Sequence, residues 1–119
     1  VSKSILPPLA LGLFLAAPAV AAPSVEAAFG NTIVSTYPDG RTAKLWLHRG
    51  GAYDGRGRRG KPSSGQWTIK GDKICLRQKK PTPAPFAYCT PLSAGGVGAA
   101  WSARAVTGEP IRVSVVKGR

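Results

Sequence analysis

Acidic side chains are scarce in this chain: Glu26, Asp39, Asp54, Asp72 and Glu109 stand against 17 lysines and arginines. Glycoside hydrolysis needs two carboxyls facing each other across a bond, and these five form no such pair in sequence. Asp39, Asp72 and Glu109 sit in turn-like stretches, where a short acid bonds nearby backbone. Asp54 abuts a run of arginines that would pair with it. There is one histidine, His48, and there are two cysteines, so no structural zinc set is expected. No G-x-S-x-G and no Walker spacing occurs. His48 is therefore the sole candidate general base. A surface position at a strand end accounts for it without catalysis, and a hydrolase using His48 would need an acid and a nucleophile placed beside it. No enzyme activity, cofactor or metal is expected.

Long apolar runs are also missing. The longest, residues 5–20, falls short of the ~20 residues of a spanning helix and contains Pro7, Pro8 and Pro18. Lys3 precedes it and Ala19-Val20-Ala21 follows, the order of a secretory signal. Residues 1–21 are expected to be a cleaved signal peptide and residues 22–119 a single domain, periplasmic or secreted. No transmembrane segment is expected in that mature form. In an oxidising compartment Cys75 and Cys89 are expected to form a disulfide, worth ~3 kcal/mol for a loop of this length.

Helical periodicity is nearly absent, and what remains has period two. Residues 32–37 are β-branched and aromatic and read as a strand, and Pro38-Asp39-Gly40 reads as a turn. In the next strand Ala43, Leu45 and Leu47 alternate with Lys44, Trp46 and His48. Residues 54–64 hold Gly55-Arg56-Gly57-Arg58-Arg59-Gly60-Lys61 with no large apolar side chain, and are expected to be a mobile basic loop. If Gly71 and Asp72 form a two-residue hairpin turn, Ile69 faces Ile74 and Trp67 faces Leu76, all four pointing into the core. If Cys75 lies opposite Cys89, Leu76 meets Tyr88 and Gln78 meets Phe86. Pro81, Pro83 and Pro85 then stiffen the tip between those strands. Trp67, Phe86 and Tyr88 fit the core or the hairpin interface, whereas Trp46 shares a face with Lys44 and His48. Residues 24–29 suggest a helical turn or an arm. With strands at residues 101–106 and 111–115, about seven strands predict an all-β fold, a small antiparallel barrel or sandwich.

Gly30-Asn31-Thr32, Tyr37-Pro38-Asp39-Gly40, Gly65-Gln66-Trp67-Thr68-Ile69, Gly71-Asp72-Lys73-Ile74-Cys75-Leu76 and Tyr88-Cys89 make residues 29–92 resemble a group of small secreted proteobacterial β proteins. That group carries a G-x-W strand before a cysteine-containing strand. The resemblance implies a barrel and no particular activity. Secreted bacterial inhibitors of proteases or lysozyme are similar in general plan only.

Without Lys3 the chain carries 16 basic and 5 acidic residues, a net charge of +11. Such a field attracts polyanions. Export makes nucleic acid a poor expectation and favours anionic lipid, lipopolysaccharide or acidic glycan. Arg56, Arg58, Arg59 and Lys61 are the candidate anion-binding residues, since arginine forks grip phosphate or carboxylate and glycine-rich backbone can cradle an anion. The expected function is an exported, non-catalytic binding module. The alternative is a protein–protein module, such as an inhibitor of an exported enzyme.

Overall fold

Alternating side chains give each strand one apolar face to bury, and the chain buries all of them against one another. In the computed structural model, which describes residues 25–93 and 95–119, eight strands follow in order. They are β1 (Thr32–Thr36), β2 (Thr42–Leu47), β3 (Ala52–Arg56), β4 (Pro62–Lys70), β5 (Lys73–Lys80), β6 (Tyr88–Pro91), β7 (Ala100–Arg104) and β8 (Pro110–Val116). The expected signal peptide lies outside the described residues. All pairings are antiparallel, in the order β6-β5-β4-β3-β2-β1-β8-β7. The end strands β6 and β7 come back beside each other, so the sheet is a nearly closed barrel. Among the described residues no helix is long and apolar enough to cross a membrane.

Inside lie Ile33, Leu47, Tyr53, Ile74, Leu92, Ile111 and Val113, with Leu45, Trp67, Leu76 and Trp101 packed against them. One end is plugged. A 3-10 turn, Glu26–Ala28, tucks Ala28 into the core. Phe29 packs on Trp67 at 5.9 Å between ring centroids, and the Arg49 guanidinium covers Phe29 at 4.5 Å. Arg49 also pairs with Glu26 at 2.9 Å. The indole N–H of Trp67 donates to the His48 carbonyl at 2.9 Å, so the plug is tied to the β2–β3 turn.

The seam between β6 and β7 is closed by side chains. The Tyr88 hydroxyl on β6 donates to the Arg104 carbonyl on β7. From the other side, the Trp101 indole N–H donates to the Pro91 carbonyl at 3.2 Å. Two staples thus stand where a backbone ladder joins every other neighbouring pair of strands.

The expected register of the central hairpins is present: Ile69 opposite Ile74, Trp67 opposite Leu76, Cys75 opposite Cys89 and Leu76 opposite Tyr88. Cys75 and Cys89 are joined as a disulfide. Four expectations need correction. Ile69 is 38% exposed because β3 pairs with β4 only as far as Gln66, leaving Ile69 without a neighbour on that side. Phe86 is 81% exposed and does not face Gln78. Prolines before it cannot donate to a ladder, so β6 starts only at Tyr88. Gln78 instead lies opposite Gly65. Finally, most of residues 54–64 is strand, and only residues 57–61 form a turn between β3 and β4.

Gly65 of the G-x-W sequence sits at a shift of register between β4 and β5. A Cβ there would lie 2.1 Å from the Arg77 carbonyl oxygen. Backbone cannot yield as a flexible side chain would, so only glycine fits. Gly65→Ala is expected to destabilise the fold by on the order of 3 kcal/mol in urea unfolding. Reducing the Cys75–Cys89 bridge is expected to cost ~3 kcal/mol, read as a fall of melting temperature of roughly 10 °C or more.

Candidate functional site

Three of the four hairpin connections at the unplugged end share one geometry. In each, the first residue's N–H bonds the fifth residue's carbonyl and the fourth residue's N–H returns to the first carbonyl. These are Tyr37 to Arg41 (2.9 Å) with Gly40 to Tyr37 (2.9 Å), Gly57 to Lys61 (3.0 Å) with Gly60 to Gly57 (2.8 Å), and Ala105 to Glu109 (2.8 Å) with Gly108 to Ala105 (2.8 Å). The fourth position has positive φ in all three, 85° at Gly40, 82° at Gly60 and 90° at Gly108, which glycine alone adopts without strain. This is a three-residue hairpin loop closed by a glycine bulge. The basic stretch is therefore an ordinary member of the set.

That geometry decides what its arginines do. Arg58 reaches across the barrel end: its guanidinium donates to Glu109 at 2.9 Å, lies 3.9 Å from Asp39 and covers the Tyr37 ring at 4.4 Å. It is only 27% exposed as a side chain. One cation thus straps three turns together. Arg56 donates to the Gly60 carbonyl at 2.9 Å within its own turn. The side chains of Arg59 and Lys61 have no ion pair or hydrogen bond among the described residues. Of the four candidate anion ligands, Arg58 has its charge opposed internally, while Arg56, Arg59 and Lys61 keep theirs.

Beside the strap, the barrel mouth is an open cup. A pocket of about 310 Å³ is lined by Tyr53, Leu76, Gln78, Phe86, Tyr88 and Val106. A second, of about 210 Å³, shares Tyr53, Leu76, Tyr88 and Val106 and extends to Lys44 and Arg56. Beneath both, an apolar cavity of about 60 Å³ lies inside the barrel, reaching Leu76 and Tyr88 as well as Trp101 on the other side of the seam. Thr90 faces it, and its hydroxyl oxygen is buried with no partner among the described residues. Phe86 and Val106 (77% exposed) both border the opening. The cup escapes sequence reading because its residues come from many separate strands and loops, from Lys44 on β2 to Val106 in the β7–β8 turn.

His48 ends β2 on the outer face, with Nε2 2.7 Å from the Asp54 carboxylate. Asp54 pairs with His48 and, at 3.9 Å, with Arg119, instead of with the neighbouring arginines as expected. Ser64 lies opposite Asp54 on β4, but no hydrogen bond joins it to His48 among the described residues. A half-exposed hydrogen-bonded pair is the plain description of this dyad. Trp46 is half-buried on the same face; its indole N–H donates to the Thr32 hydroxyl at 2.9 Å and Arg119 covers its ring at 5.0 Å. Among the described residues no group of three or more metal-ligating side chains gathers.

Two titrations follow from the strap. The Tyr37 hydroxyl is raised above its ordinary value, first by burial, against the opposing pull of Arg58. Glu109 is held below its ordinary value of 4.5 by hydrogen bonds from Thr107 and Arg58. Because its folded value is depressed, its contribution to stability is present above the unfolded value and is lost as pH falls through the folded one. Glu109→Gln is expected to lower stability near neutral pH and to flatten its dependence on pH below 4.5, as read by thermal unfolding across acid pH.

Compared with known proteins, the chain matches no family model, no curated protein and no solved structure.

Proposed function

We propose that this protein is an exported, non-catalytic binding module that engages an anionic component of the cell envelope, such as anionic lipid, lipopolysaccharide or acidic glycan. What supports the reading is the division of its charges. Four of the five acids are consumed internally, Glu26 by Arg49, Asp39 by Arg41, Asp54 by Arg119 and Glu109 by Arg58. Lys44, Arg59, Lys61, Lys79 and Lys80 have no such partner among the described residues. The positive field is therefore left open to solvent and to a polyanion. A disulfide accords with an oxidising compartment, where envelope polyanions are at hand and nucleic acid is not.

The alternative, a module that docks on an exported protein, draws on the proline-stiffened tip at residues 81–85 and the exposed Phe86 beside it. It predicts a stoichiometric complex that ignores lipid charge.

Vesicles of phosphatidylglycerol and of phosphatidylcholine separate these readings. Affinity for the anionic vesicles is expected to persist at 0.15 M salt, where screening acts over ~8 Å. It is expected to fall at least tenfold in an Arg56→Ala, Arg59→Ala, Lys61→Ala triple variant. Arg58→Ala should loosen the fold while weakening vesicle binding far less. Equal affinity for both vesicle types, or an unaffected triple variant, defeats the reading.

A further inference from the structure

The mouth of the barrel combines two features that the charge argument alone does not use. First, its wall is apolar and its depth is continuous. Leu76 and Tyr88 line both mouth pockets and also the cavity beneath them, so the three spaces form one cup. The larger mouth pocket, about 310 Å³, lies at the lower limit of small-ligand sites, and the second, about 210 Å³, extends it toward Lys44 and Arg56. The far end of the barrel is covered by Phe29, Trp67 and Arg49. Phe86 and Val106 are 81% and 77% exposed on its lip, where two large apolar side chains gain nothing from water.

Second, Lys44 and Arg56 are direct cross-strand partners on β2 and β3, and both border the same pocket. Like charges placed opposite each other in a sheet repel. Elsewhere among the described residues, the three arginines that lie over aromatic rings each also hold a carboxylate: Arg49 has Glu26, Arg58 has Glu109 and Arg119 has Asp54. No carboxylate offsets Lys44 or Arg56 among the described residues; Arg56 meets only the Gly60 carbonyl. An anion at this rim would relieve the repulsion.

From this juxtaposition we infer that the cup takes the hydrocarbon chain of a single-chain anionic amphiphile, with its carboxylate or phosphate on Lys44 and Arg56. The inference rests on the envelope-binding reading and narrows it to a ligand class and a site. An uncharged chain satisfies the cup and leaves the cations facing each other. A small anion satisfies the cations and leaves the cup lip in water. Only the joined molecule answers both. The enclosed cavity, about 60 Å³, admits no more than the tip of the chain, so most of the chain lies between Tyr53, Leu76, Tyr88 and the Phe86–Val106 lip.

Calorimetric titration of the protein with decanoate, decanol and acetate tests the assignment. Decanoate is expected to bind one to one. Decanol is expected to bind at least tenfold more weakly, and acetate not measurably. Phe86→Asp and Val106→Asp lie on exposed positions and are expected to keep the melting temperature while weakening decanoate tenfold or more. Lys44→Gln with Arg56→Gln should bring decanoate down to the affinity of decanol. Unchanged decanoate affinity in both lip variants overturns the cup assignment, and decanol binding as tightly as decanoate overturns the head-group assignment. If phosphatidylglycerol vesicles bind and decanoate does not, the cup assignment fails while envelope binding stands. If decanoate binds as described and the vesicles do not, the envelope reading fails and the cup remains.

Discussion

The pairing of β1 with β8 is the contact on which the rest depends. Every other ladder joins strands adjacent in the chain, so each could form locally as a hairpin. Thr32 to Thr36 must find Val116 to Arg112 from the far end of the sequence, and that ladder turns a row of hairpins into a barrel. The cost is the loop-closure entropy of nearly the whole domain. It is offset by burying Ile33 against Ile111, Val113 and Val115 and by a polar clasp outside the ladder. Thr32 accepts from Trp46 and donates to the Gly118 carbonyl, and Asn31 accepts from the Gly118 N–H. Without this closure there is no interior, no cup and no plugged end.

Closure also leaves a seam. Eight strands in this order bring β6 and β7 together without a ladder, and Tyr88 and Trp101 bridge the gap from opposite sides. An eight-stranded barrel has an interior just wide enough for side chains or for one small ligand. Here side chains fill the plugged half, and the half toward the hairpin mouth stays partly open. The seam runs between β6 and β7, so the least laddered part of the wall borders the apolar cavity lined by Tyr88, Pro91 and Trp101.

Identical residue types play different parts according to where the turn geometry aims them. Arg56, Arg58 and Arg59 lie within four residues of one another. Arg56 caps its own turn, Arg58 spans the barrel end to Glu109, and Arg59 points to solvent. The glycine bulge at Gly60 sets that division, because it reverses the chain tightly enough to hold Arg58 over Tyr37. Composition counts these three charges alike, whereas the folded chain leaves two of them without a carboxylate.

Local chemistry was legible in the residues. Strand alternation, the Gly71-Asp72 turn and the two cysteines fix the β4–β5–β6 register, because a period of two admits only one alignment that buries Trp67, Ile74 and Leu76 together. Residues 54–64 read as a mobile basic loop because their glycines and arginines offer nothing apolar to alternate, whereas β3 and β4 take up most of them and leave only the turn at 57–61. Ile69 and Phe86 misled because exposure depends on whether a neighbouring strand extends far enough, which no residue encodes by itself. The sequence by itself determined the strands, the hairpin turns, the disulfide and the excess of positive charge, since each follows from spacing or composition along the chain. Tertiary structure alone decided which carboxylate meets which arginine and that Lys44 faces Arg56 without one. It also placed Leu76, Tyr88 and Val106 around one opening. Those outcomes depend on distances across the barrel, which exist only once β1 has closed on β8.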